Sequence, residues 1–119
     1  MKKRMISLTL VVVMLLSVTA QAATEALTAT PVLVFDGRTA TCAVEVSADK
    51  LTDKIEVTAA LWRGSTCLET WTQTEYGYLY LEETKDVSIR GVTYTLKVDI
   101  SLNGNALPQI ETSEKCPFS

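Results

Sequence analysis

Three cysteines, four tyrosines, two tryptophans and no histidine set the chemistry open to this 119-residue chain. Without an imidazole there is no Ser–His or Cys–His nucleophile pair, no histidine acid–base catalyst and few ways to bind zinc. Cys42, Cys67 and Cys116 lie far apart, with no Cys-x-x-Cys pair of the kind that runs thiol exchange. Carboxylates gather at Asp49 and Asp53, and again at Glu82, Glu83 and Asp86. Oxygens so placed can hold Ca2+. Neither group has calcium-loop spacing, however, and a solvated acidic turn is the ordinary role of such residues. A glycosidase needs two carboxylates across a cleft, and nothing in the sequence marks out such a pair. The expectation is a chain that is not an enzyme and calls for no cofactor and no metal.

The aromatic residues are the better candidates. Tyr76, Tyr78 and Tyr80 recur at period two, which places two or three of them on one face of a strand, with Leu79 and Leu81 on the core-facing side. Trp62 is out of phase with Leu61 and is expected to face outward as well. A flat aromatic strip of Trp62, Tyr76, Tyr78 and Tyr80 can stack on sugar rings or act as a protein-binding hot spot. The ordinary alternative is cross-strand packing of residues that favour sheets. Trp71 is assigned to the core.

Alternation of this kind requires strands to position it. Val32 to Phe35, opened by Pro31, reads as a short strand at most, after a small, polar and flexible lead-in over Ala23 to Thr30. Asp36-Gly37 is a turn. From Thr39 to Ser47 the residues Cys42, Val44 and Val46 share one face. Ile55, Val57, Ala59 and Leu61 form the next apolar face, followed by a hairpin at Arg63-Gly64-Ser65. In the returning strand Leu68 and Trp71 are three apart, which a bulge reconciles. Tyr76-Gly77 breaks the chain before Tyr78 to Leu81, and Glu82 to Asp86 reads as a charged connection. The clearest strand runs from Val92 to Leu102, with six apolar residues at every second position. Asn103-Gly104 follows as a two-residue hairpin signal. The last strand, about Ala106 to Thr112, contains Pro108 and must therefore be an edge or carry a bulge.

The first 22 residues read as a secretory leader: Lys2, Lys3 and Arg4, an apolar run from Met5 to Val18, then Ala20-Gln21-Ala22 at a cleavage site. The expected location is secreted, extracellular. No further run is long and apolar enough to span a membrane. Cleavage leaves 97 residues, enough for one core. They divide into a lead-in with a first short strand over 23–38 and a β-sandwich domain with its C-terminal tail over 39–119. Losing the leader's three basic residues takes the formal charge from −3 to −6. Scattered basic residues among fourteen acidic ones argue against nucleic acid as a partner. In an exported chain cysteines are expected to pair. Cys42–Cys116 is the favoured bridge because it would pin the tail. Its loop of about 75 residues would be worth about 4.5 kcal/mol in loop-entropy terms. Cys67 is then the unpaired thiol beside a turn.

About seven short strands in under 100 residues predict an all-β, antiparallel, immunoglobulin-like sandwich. The stretch Ile89-Arg-Gly91-Val-Thr-Tyr94-Thr-Leu96-Lys-Val98 resembles the entry to the F strand of immunoglobulin-like and fibronectin type III domains. There a glycine turn precedes a tyrosine whose hydroxyl bonds back to nearby backbone. Leu61 before a Gly-Ser turn and Trp71 after it add a second likeness. Together they resemble small secreted immunoglobulin-like proteins of Gram-positive, clostridial-type bacteria, a group without assigned activity. The resemblance implies fold and location, and a tyrosine corner at Tyr94. The functional expectation is a non-catalytic binding or adhesion module for a glycan, a wall polymer or an extracellular protein. The alternative is a structural protein that self-associates through an edge strand or through Cys67.

Overall fold

The computed structural model describes residues 27–118, so the expected leader and the first residues of the expected lead-in lie outside the described residues. Eight strands form two antiparallel sheets. They are β1 (Leu27–Asp36), β2 (Thr39–Ala48), β3 (Lys54–Arg63), β4 (Thr66–Tyr76), β5 (Tyr78–Asp86), β6 (Thr93–Leu102), the two-residue β7 (Asn105–Ala106) and β8 (Ile110–Lys115). One sheet has the order β1-β2-β5. The other runs β4-β3-β6, with β7 and β8 both pairing with β6. This is the expected immunoglobulin-like sandwich. Consecutive hairpins alternate between the layers, so each sheet mixes early and late strands. Among the described residues no helix is long and apolar enough to cross a membrane.

Alternation sends one face of every long strand into a shared core. From the first sheet come Leu33, Val44, Val46, Leu79 and Leu81. From the second come Ile55, Val57, Leu61, Leu96, Val98, Ile100 and Leu102, all nearly free of solvent. Burial at about 25 cal/mol per Å2 of apolar surface makes this interlayer the main source of stability. The Tyr94 hydroxyl donates to the Ile89 carbonyl at 2.6 Å, which is the tyrosine corner the resemblance implied. Its ring packs on Phe35, with centroids 5.4 Å apart. Leu61 faces Glu69 and Trp62 faces Cys67, so Leu68 is the additional residue of a β-bulge, as the three-residue spacing to Trp71 predicted. Asn103 and Gly104 close β6 onto β7 with φ of 53° and 84°, the left-handed pair a tight hairpin demands.

Several expectations need correction. The lead-in does not stay loose to Thr30. The first strand starts at Leu27 and pairs with β2 over its whole length, with Leu27 and Ala29 buried. Small residues and Pro31 disguise an alternation that continues through Leu33. Glu82 to Asp86 is not a connection but the second half of β5, held by its register with Thr39 to Ala43. The last strand is split, because Leu107 to Gln109, around the donorless Pro108, separate β7 from β8.

All three cysteines are free thiols, so the expected Cys42–Cys116 bridge is absent. Cys116 sits against the β1–β2 turn, its Sγ–H donating to the Gly37 carbonyl at 3.5 Å. Cys42 lies three register positions along β2 from Thr39, roughly 10 Å further down the strand. A bridge needs Cα atoms within about 7 Å of each other, and the two thiols occupy different levels of the core. Burial pushes the Cys42 thiol up to about 12, which leaves it unreactive. Cys67 is exposed.

Candidate functional site

The outer face of the β1-β2-β5 sheet carries the strongest candidate. β5 is an edge strand paired with β2. Leu79 and Leu81 anchor it, 0% and 1% exposed, and this phase forces Tyr78 and Tyr80 outward, 49% and 48% exposed. The rings are not free to swing. The Tyr78 hydroxyl donates to Glu45 Oε2 at 2.8 Å, and the Tyr80 hydroxyl donates to Glu82 Oε1 at 2.5 Å. In the register Tyr80, not Tyr78, stands opposite Glu45. Each hydroxyl therefore reaches one row further along β5, and the two rings lean the same way over the sheet.

The electrostatics follow from these bonds. Each phenol donates to a carboxylate, and losing that proton would set two negative charges side by side. The Glu45 bond raises the Tyr78 phenol above its ordinary range, and the Glu82 bond holds Tyr80 up to about 12. Both tyrosines are thus neutral donors whose carboxylate partners keep spare acceptor capacity. The edge beneath them is braced against the other sheet. Gln73 Nε2 on β4 donates to the Tyr80 carbonyl at 3.0 Å, and Lys85 pairs with Glu69 at 3.4 Å.

The other two predicted residues do not join this strip. Tyr76 is 62% exposed but ends β4, opposite Lys54 in the other sheet. Gly77, with φ of 78°, turns the chain between layers, so counting by twos across it fails. A Cβ on Gly77 would also come 2.9 Å from the Leu51 Cα, so the close approach requires glycine. Trp62 faces outward as expected, but on β3, on the opposite side of the sandwich. It is half-buried, with Lys97 Nζ 4.6 Å from its ring centroid. Trp71 is half-buried against the core.

Three of the five carboxylates singled out in the sequence accept from neighbours. Glu82 accepts from Tyr80, Asp86 from Thr39 at 2.8 Å, and Asp53 from Asn103 at 3.0 Å. The Asn103 bond is the main reason the Asp53 carboxyl is lowered from its ordinary range. Among the described residues no three acidic or thiol side chains gather as a metal site would require.

Comparisons with known proteins carry no argument about this chain. No family model matches the chain, and no curated protein does. Among solved structures it is similar to part of a Bacteroides uniformis β-glucuronidase 2, covalently bound to cyclophellitol-6-carboxylate aziridine. The identity is 14% and the TM-score 0.46, over 76% of this chain and 13% of that one. The chain therefore spans about an eighth of that enzyme's length, and nothing about its own activity follows from the likeness.

Proposed function

We propose that this protein is a secreted, non-catalytic binding module that recognises a glycan through the Tyr78–Tyr80 face. The observation that carries the reading is the pair of half-exposed rings on one sheet face, each held by a hydroxyl bond, to Glu45 and to Glu82. Rings already held in place lose little freedom on binding. Their faces suit the C–H faces of a sugar, and the flanking carboxylates can accept from its hydroxyls. The same carboxylates repel anionic polymers, so the glycan is neutral at the point of contact.

Self-association through an edge is less favoured. The Gln73 bond to the Tyr80 carbonyl blunts the β5 edge, and Pro31 interrupts the donors of β1. The test is co-sedimentation with insoluble cell-wall material and neutral polysaccharides, comparing the protein with its Tyr78→Ala/Tyr80→Ala variant. Binding by the parent and its loss in a variant that melts within a few degrees of the parent is the expected result. A folded variant that binds as well as the parent would overturn the assignment.

A further inference from the structure

A second polar site lies at the end of the sandwich, away from the tyrosine face. The β1–β2 turn and the chain leaving β5 border an open cleft of about 490 Å3 lined by Arg38, Thr39, Asp86, Val87, Ser88 and Arg90. Its frame is fixed on both sides. Val87 N–H donates to the Arg38 carbonyl at 2.8 Å, and the Tyr94 hydroxyl holds the Ile89 carbonyl. Arg90 and Gly91 are in turn tied to residues 116–118. Gly91 N–H bonds the Cys116 carbonyl, and Arg90 Nη1 bonds the Phe118 carbonyl at 2.7 Å.

The charges are unusual for this molecule. Of the three arginines among the described residues, two line this one cleft. Neither is paired with a carboxylate among the described residues, and the Arg38 guanidinium has no protein partner there at all. The acid in the cleft, Asp86, accepts from Thr39 and retains lone pairs. The lining thus holds the unpartnered Arg38 guanidinium, a second guanidinium on Arg90 with one nitrogen already given to the Phe118 carbonyl, a hydroxyl on Ser88 and a carboxylate acceptor, with a formal charge of about +1 in a chain that is acidic overall.

We infer that the cleft between Arg38 and Arg90 binds a small hydroxylated carboxylate, such as a sugar acid. The guanidinium groups take the carboxylate by charge-assisted hydrogen bonds, and Asp86 and Ser88 take its hydroxyls. A simple inorganic anion satisfies only the first half of the lining, and a neutral sugar only the second. This site is independent of the tyrosine face. Asp86 stands six residues beyond Tyr80 on β5, roughly 20 Å along the strand.

The test is a titration of the isotope-labelled protein, followed by amide chemical shifts, with galacturonate, galactose and sulfate as separate probes. Galacturonate is expected to shift Arg38, Thr39 and Val87 to Arg90 saturably, with galactose leaving them unmoved and sulfate binding more weakly. Arg38→Gln, whose side chain supports nothing else, is expected to weaken galacturonate by about tenfold. Arg90→Gln should act in the same direction. The Tyr78→Ala/Tyr80→Ala variant should bind galacturonate at this cleft unchanged, so failure of the glycan face and failure of the cleft read out separately. Absence of saturable shifts, unchanged affinity in Arg38→Gln, or sulfate or galactose binding as tightly as galacturonate would each overturn the assignment.

Discussion

At the end of the sandwich Tyr94 is wholly buried. Its ring lies on Phe35 and its hydroxyl is spent on the Ile89 backbone carbonyl. On the outer face of the β1-β2-β5 sheet, Tyr78 and Tyr80 leave half their surface in solvent and give their hydroxyls to carboxylates. Residue type and strand alternation are the same in both regions. The partner of the hydroxyl and the side of the sheet differ. A tyrosine bonded to backbone closes a corner, whereas a tyrosine bonded to a side chain keeps its ring face available.

This contrast predicts a steep gradient of mutational effects. Tyr94→Ala is expected to cost about 3–5 kcal/mol of stability in denaturant unfolding, the range for removing a buried aromatic. Tyr94→Phe should cost about 1–2 kcal/mol by orphaning the Ile89 carbonyl. A Tyr94→Ala protein within about 1 kcal/mol of the parent would erase the distinction between the regions. The Tyr78→Ala/Tyr80→Ala pair should shift stability by no more than about 1 kcal/mol while removing glycan binding.

A third aromatic site sharpens the comparison. Trp62 also faces outward, but Lys97 covers its ring and it lies on the other sheet. Trp62→Ala is expected to cost about 0.5–1 kcal/mol through the lost cation–π contact and to leave glycan binding unaltered. Lost binding in a folded Trp62→Ala variant would mean that the ligand meets the opposite face.

The smallest effect concerns protons. The Tyr80 phenol is raised by Glu82 to about 12 from an ordinary value of 10.0. A raised acid favours the folded state while it is protonated. The contribution is therefore full below about pH 10 and lost as pH climbs towards about 12. An ultraviolet titration of tyrosinate should place Tyr80 among the late phenols, and Glu82→Gln should bring it down. An identical titration curve in Glu82→Gln would show that the bond does not hold the ring.

Much of the scaffold is legible in local pattern. The six apolar residues from Val92 to Leu102, the Asn103-Gly104 turn, the Tyr94 corner and the Leu68 bulge all follow from spacing or turn chemistry over a few residues. The candidate face was legible only in part. Leu79 and Leu81 set the phase that turns Tyr78 and Tyr80 outward, but no local signal joins them to Glu45, thirty-three residues away from Tyr78. The Arg38–Arg90 cleft carried no sequence signal, because its two arginines sit in separate connections that meet only in the folded chain.

The sequence by itself therefore determined the apolar side of the clearly alternating strands and the turns at Asp36-Gly37, Gly64-Ser65 and Asn103-Gly104, since alternation and positive φ are properties of neighbouring residues. Tertiary structure alone decided which layer each strand enters. Gly77 moves the chain from one sheet to the other, so Tyr76 parts from Tyr78 although only one residue separates them. It also decided the state of the cysteines. The level at which Cys116 docks against Gly37 depends on the pairing of β8 with β6 and the packing of β8 on β1. Those choices rest on the free energy of pairing distant strands, which no stretch of neighbouring residues encodes.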